Sequence, residues 1–149
     1  MAKRKIRHFK GQYKFLSNFQ ETSIRFGKHV YPSAEHLFQF LKTKPGSSWE
    51  SAIQLARSPG KAKKAGQECE LPADWEAMKV PLMMVVLRLK FQDKHLARRL
   101  KETGTAKLIE GSVWHDNFWG DCTCQNCRAI PGKNMLGVLL MCLRENLRV

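Results

Sequence analysis

Hydrophobic residues recur along this chain at intervals that shift from the alternation of a strand to the three-to-four spacing of a helix. Residues 1–10 form a basic arm, frayed or strand-like. Ile24 and Phe26 alternate with polar residues ahead of Gly27-Lys28, which predicts a short hairpin over 23–31 that Pro32 ends. Ser33 then stands as a helix N-cap. Glu35 lies in the first turn, where the helix dipole favours a carboxylate, and the helix runs to about residue 43, before Pro45-Gly46. Further helices are predicted over 48–56, from Ser58-Pro59 to near Gly66, and from Pro72 onward, where Pro81 kinks or restarts the chain. Residues 82–89 are apolar on nearly every face except Arg88, the pattern of a buried central helix. A short helix over 97–101 and a short strand over 107–110 come next. The segment 111–133 has little period and holds two Trp, three Cys, His115 and two Asp. A stretch of that length in a small domain is functional or is held by something other than an apolar core. An apolar helix over 134–147, capped by Asn134 and carrying Cys142 on its core side, closes the chain. The pattern is that of an α+β fold, a predominantly helical single domain over 1–149 with a small β-sheet.

Composition narrows the class. The 149 residues suit one domain, and 43% hydrophobic content suffices for a core. The longest run without a charged residue, 134–143, is far short of the ~20 apolar residues that span a bilayer. No apolar stretch follows the basic N-terminus, so no secretory signal and no membrane partner are expected. Five cysteines, three of them clustered, argue against a secreted disulfide framework and for a reducing, cytoplasmic setting. The 26 Lys and Arg against 13 Asp and Glu give a formal charge of +13, which calls for anionic partners.

Glu35, Gln39 and Lys42 are spaced i, i+4, i+7 and share a stripe roughly 60° wide on the first helix. Such a line is the exposed edge of an ordinary amphipathic helix, or the lining of a cleft in which a carboxylate and an amine perform acid–base or covalent chemistry. His36 sits beside the stripe.

Phe15-Leu16-Ser17-Asn18-Phe19 followed by Tyr31-Pro32-Ser33-Ala34-Glu35-His36-Leu37-Phe38-Gln39-Phe40-Leu41-Lys42 resembles the NADAR family of YbiA-like N-glycosidases. The likeness continues through Ala56-Arg57-Ser58-Pro59, Ala62-Lys63, Trp75, Met83, Lys90-Phe91 and Thr103-Gly104. It reaches Glu110-Gly111-Ser112, Asp116, Trp119-Gly120 and the ending Gly132-Lys133-Asn134-Met135-Leu136-Gly137 with Arg144. Tyr31 and Ser33 replace the usual Trp and Thr. Gln67 stands where many members carry Arg, which leaves Arg57 or Lys64 to meet a phosphate. The cysteine segment is an insertion relative to shorter bacterial members.

The resemblance implies hydrolysis of a bond between ribose C1 and a nitrogen, in a phosphorylated ribosylamino-pyrimidine of riboflavin synthesis or in ADP-ribose attached to guanine. It implies that Glu35 does electrostatic and general acid–base work and that Lys42 is either a nucleophile or a phosphate-side cation. Asp116 is a second carboxylate candidate. Trp119 would stack on the base, and Asn18 and Asn134 would hydrogen-bond sugar or base, with Phe19, Gln39, Glu110 and Gly120 lining the same substrate site. The plainer roles are packing for Trp119, a turn for Asn18 and a helix cap for Asn134. No organic cofactor is implied. The positive charge suits a phosphorylated ribosyl or ADP-ribosyl substrate, and nucleic acid as its carrier.

Cys122, Cys124 and Cys127 form C-x-C-x2-C within the segment 115–133, seven residues after His115. Four such ligands can close a tetrahedral structural zinc site. Cys69 or His36 is the alternative fourth ligand, and reduced thiols or a redox pair are the alternative to a metal. The competing class is a non-catalytic, zinc-containing module that binds ADP-ribose, NAD or nucleic acid.

Overall fold

The computed structural model, which describes residues 1–148, orders the chain as follows. It begins with β1 (Lys5–Arg7), a 3-10 turn (Gly11–Leu16), β2 (Glu21–Phe26), β3 (His29–Ser33), α1 (Ala34–Lys42), α2 (Ser48–Gln54) and α3 (Pro59–Glu68). It continues with α4 (Trp75–Lys90), α5 (Lys94–Glu102), β4 (Lys107–Ile109), β5 (Gly111–Ser112), β6 (Asp121–Cys122) and α6 (Met135–Asn146). The predominantly helical α+β class holds. In place of one small sheet there are three two-stranded ladders: β1 with β4 parallel, β2 with β3 antiparallel, and β5 with β6 parallel. Two compact units form, Asn18–Gln92 and the remainder of the chain on either side of it.

In the unit Asn18–Gln92, α1 is the central element. It packs on the β2–β3 hairpin and on α2, α3 and α4. Ser33 caps it, its hydroxyl accepting from the His36 N–H at 3.1 Å. Pro32 does not end the hairpin but lies inside β3. The register passes from Ile24–Tyr31 to Glu21–Ser33, so Thr22 and Ser23 bulge opposite Pro32, which has no N–H to give a ladder. The expectation of a buried central helix at 82–89 is corrected. On α4 the buried face is Trp75, Met83, Val86, Leu87 and Lys90, while Met78 and Val85 are 39% and 40% exposed. Apolar composition alone does not decide burial; α1 holds the middle because neighbours cover its whole first two turns. α4 also passes through Pro81 without restarting, at the loss of the hydrogen bond that residue 81 would give.

In the other unit, β4 and α5 pack against α6. Asn134 precedes α6 in a left-handed conformation (φ 50°) and does not cap it by its side chain, which corrects the expected role. Its Oδ1 instead accepts from the Glu110 N–H at 2.9 Å, and its Nδ2 donates to the Leu108 carbonyl at 2.8 Å. The first amides of α6 are met by a loop: Asn134, Met135 and Leu136 donate to the carbonyls of Gly120, Phe118 and Trp119 at 3.0–3.1 Å. Cys142 is exposed rather than core, because Val138, Cys142 and Glu145 share the outward face of α6. Gly137 touches β4 so closely that a Cβ there would lie 2.1 Å from the Leu108 carbonyl oxygen. Gly137→Ala should therefore lower the stability of this unit by about 2–3 kcal/mol, read from urea unfolding.

Candidate active site and metal centre

The α1 stripe is buried, not an exposed edge. Glu35 and Gln39 are 7% and 4% exposed, and Lys42 is half-buried at the last turn. Gln39 Nε2 donates to Glu35 Oε1 at 2.8 Å, and Lys42 Nζ donates to Gln39 Oε1 at 3.4 Å. The three side chains thus form one line from carboxylate through amide to amine. The Glu35 N–H donates to the Asn18 carbonyl at 3.0 Å. The Asn18 side chain is buried, with Nδ2 3.4 Å from Met83 Sδ and with Oδ1 lacking a hydrogen bond. An unmet buried amide oxygen costs stability and is suited to receive a ligand donor. Phe19 is half-exposed beside Lys63, whose Nζ lies 5.9 Å from the ring centroid.

Burial lowers the pKa of Lys42 below the ordinary lysine value; Cys69 and Glu35 oppose that shift and Lys63 adds to it. The Lys42 amine also sits 5.9 Å from the Trp75 ring centroid. Cys69 and Lys63 as groups acting on Lys42 were not foreseen. The available signal was the buried face of α3, on which Ala62, Gly66 and Cys69 recur at i, i+4, i+7. Gly66 has a clear purpose: a Cβ there would fall 1.8 Å from Gln39 Oε1 and 2.6 Å from Cδ. Gly66→Ala should displace the Gln39 amide and cut turnover roughly tenfold while the protein still folds, checked by initial rates beside circular dichroism.

His36 does not join the stripe. Its Nε2 faces the Ala56 carbonyl at 2.9 Å and its Nδ1 faces the Ser33 hydroxyl at 2.7 Å, so both ring nitrogens are committed. That also removes His36 as a metal ligand.

A second set of the residues singled out by sequence gathers in the other unit. Asp116 Oδ1 accepts from the Phe118 and Trp119 N–H groups at 3.1 and 2.9 Å, tying down the turn that feeds α6. Trp119 is half-buried, edge-on to Phe118 with centroids 4.8 Å apart. Gly120 approaches Glu110 so closely that a Cβ would lie 2.6 Å from its carbonyl oxygen. Asn134 completes this group through its bond to the Glu110 N–H. Glu110, Asp116, Trp119, Gly120 and Asn134 are therefore one interlocked cluster.

The segment 111–133 is ordered by side chains as well as by the β5–β6 ladder. Asn117 Oδ1 accepts from the Cys122 N–H and its Nδ2 donates to the Ile130 carbonyl. Asp121 Oδ1 accepts from the Gly132 N–H at 2.9 Å, and Oδ2 pairs with Arg7 at 3.1 Å. The Gly132 N–H first, and then Arg7, hold the Asp121 pKa below its usual value. His115, with φ 66°, turns Nδ1 toward Cys124 Sγ (3.5 Å) and Cys127 Sγ (3.1 Å). These three ligand atoms lie within 4.8 Å of one another, a cluster that can hold a metal ion. Zinc bonds of about 2.1 Å to nitrogen and 2.3 Å to sulfur would set such neighbours about 3.6 Å apart, so the trio fits. Cys122 lies outside the trio, but its buried Sγ accepts from the Cys124 N–H at 3.4 Å. All five cysteines are free thiols, and among the described residues no helix is long and apolar enough to cross a membrane.

The sequence model of the NADAR domain matches residues 6–148. The chain is 36% identical over 143 residues to the N-glycosidase YbiA of Escherichia coli (strain K12), covering 92% of this chain and 83% of that protein. It is 34% identical over 137 residues to a riboflavin biosynthesis protein of Vibrio vulnificus (strain YJ016), covering 90% of this chain and 35% of that protein. The solved NMR structure of the E. coli protein YbiA matches with a TM-score of 0.82 at 33% identity, over 98% of this chain and 86% of that one.

Proposed function

This chain belongs to the NADAR family, and from that premise we propose that it is an N-glycosidase hydrolysing the bond between ribose C1 and a nitrogen of a phosphorylated ribosyl or ADP-ribosyl compound. The observation that carries the reading is the buried line of Glu35, Gln39 and Lys42. Breaking the C1–N bond sends its electron pair to the base and builds positive charge on the sugar. The Glu35 carboxylate stabilises that charge and serves the proton transfer that lets the base leave. Lys42 acts as the nucleophile: its neutral amine bonds to C1 as the C1–N bond to the base breaks, and the proton it loses passes through Glu35 to the departing base. The ring C1–O4 bond then breaks, O4 takes the remaining amine proton, and the opened ribose is held as an imine. Water then adds to C1 and restores the free amine. The lowered pKa of Lys42 supports this role over that of a permanent phosphate cation, because only the neutral amine attacks.

A pH signature follows. Below its folded pKa, Lys42 is charged and idle, so the single-turnover rate should rise with pH through a midpoint below the usual 10.5 of lysine. In the same window the unfolded chain binds more protons than the native one, so Lys42 makes stability rise with pH as well. A midpoint at the ordinary lysine value would remove it as nucleophile.

Asn18, Phe19 and Gln39 are proposed as substrate-binding residues of the unit Asn18–Gln92. In the other unit Glu110, Trp119, Gly120 and Asn134 are proposed as substrate-binding residues and Asp116 as a second carboxylate. Residues 1–149 are read as a single family domain, which the family match across 6–148 supports. The riboflavin biosynthesis name of the Vibrio vulnificus relative favours a ribosylamino-pyrimidine phosphate. The charge of +13 favours ADP-ribosylated guanine carried on nucleic acid as the second reading. His115, Cys122, Cys124 and Cys127 are proposed to hold a structural zinc that fixes this segment and takes no part in the chemistry. Five free thiols suit the reducing cytoplasm.

The test is direct. The protein is incubated with a ribosylamino-pyrimidine phosphate and, separately, with ADP-ribosylated guanine DNA. Free base should appear with one of them. Salt-dependent retention without release from either would make the chain a binding module instead.

A further inference from the structure

The positive charge is not spread evenly. The unit formed by Met1–Ser17 and the chain from Asp93 onward carries 15 Lys and Arg against 6 Asp and Glu, whereas Asn18–Gln92 carries 11 against 7. Within the first of these units lies a cavity of about 520 Å³ lined by Lys3, Lys101, Lys107, Arg144, the Gly104-Thr105 turn with Met141, and Glu145, the sole carboxylate of the lining among the described residues. We infer that this cavity is a binding site for a phosphate group, separate from the glycosidase site and using Arg144, Lys101, Lys107 and Lys3 as its cations.

Arg144 is the anchor of the argument. Its side chain is 93% buried, because the residue is only 7% exposed. Its hydrogen bonds, to Thr103 Oγ1 and the Ala106 carbonyl at 2.9 Å, both leave from Nη1. Neither partner is charged, and among the described residues none of the four cations is in an ion pair. Burial depresses the pKa of this guanidinium, and Glu145 opposes that shift. A buried cation without a counter-ion is costly, and a guanidinium fork with free donors matches phosphate oxygens. Arg144 and Lys101 each lie in the last turn of a helix, where a cation also steadies terminal carbonyls. Lys3 and Lys107 lie on no helix, so that effect does not explain their convergence. The cavity falls within the size range of small-ligand sites. Arg144 is ten residues along α6 from Asn134, about 15 Å, so a single phosphate group does not reach both.

Two sources could supply the phosphate, a small phosphorylated compound or a nucleic-acid backbone, and one experiment separates them. Inorganic pyrophosphate is titrated into the whole protein while backbone amide resonances are followed. Saturable shifts are expected at Gly104 and Thr105. Because Arg144 also bonds Thr103 and Ala106, the variants are made at exposed lysines. Lys101→Glu combined with Lys107→Glu should weaken binding at least about tenfold and leave base release unchanged. Lys94→Glu, at the far end of α5, should weaken it less than about twofold. Scattered, unsaturable shifts, or equal weakening by Lys94→Glu, would overturn the proposal in favour of general surface charge. Short single-stranded DNA that shifts the same amides and competes with pyrophosphate identifies a backbone phosphate. DNA that leaves those amides unmoved identifies a small compound.

Discussion

Glu35→Gln is expected to lower the rate of base release by roughly 10²–10⁴-fold without disturbing the fold. The substitution keeps size and shape and removes only charge and proton capacity. The position has room for neither a larger group nor an exposed one, since the side chain is buried on α1 and accepts from Gln39 Nε2. A glutamine there can still accept that bond through its own Oε1, so Gln39 keeps its place and Lys42 with it. Initial rates measured beside a melting curve separate the two effects. Loss of rate with an unchanged melt assigns the carboxylate to the chemistry. An unchanged rate would take Glu35 out of the mechanism and leave the α1 line as a structural feature of a buried helix.

Cys127→Ser carries the largest expected effect on stability. The thiol is buried and 3.1 Å from His115 Nδ1, in a segment whose strands are only two residues long. Zinc ligation by thiolates and imidazole is strong, and in small domains its free energy is folding free energy. The rest of this unit has its own apolar packing on α6 and β4, so the loss should be on the order of 3–5 kcal/mol rather than complete unfolding. Metal analysis should find stoichiometric zinc in the wild-type chain and little in the variant. Cys142→Ser, at an exposed thiol on α6, should change neither quantity. Wild-type protein that lacks zinc, or that melts identically with and without a chelator, would reduce the cluster to neighbouring thiols.

What the sequence made legible is what local physics dictates. Ser33 and Ser58 announce helix starts, Gly27-Lys28 announces the hairpin turn, and the i, i+4, i+7 spacing of Glu35, Gln39 and Lys42 places them on one face. What was hidden depends on partners far along the chain. The burial of α1 is decided by three other helices, not by its own composition. Asn134 looks like an ordinary cap, yet its side chain spans to Leu108 and Glu110 while distant carbonyls cap α6. Pro32 reads as a strand terminator until a bulge in the opposite strand accommodates it. The environment of Lys42 is of the same kind: Cys69, Lys63 and Trp75 reach it from α4 and from around α3, and no local motif announces them.

The Glu35→Gln protein crystallised with a phosphorylated ribosyl substrate would test the central claim most directly, since the intact glycosidic bond should survive in it. The account predicts the ribose C1 within about 4 Å of both the residue-35 side chain and Lys42 Nζ. A sugar bound elsewhere on the chain, with those two groups reaching no part of it, would contradict it.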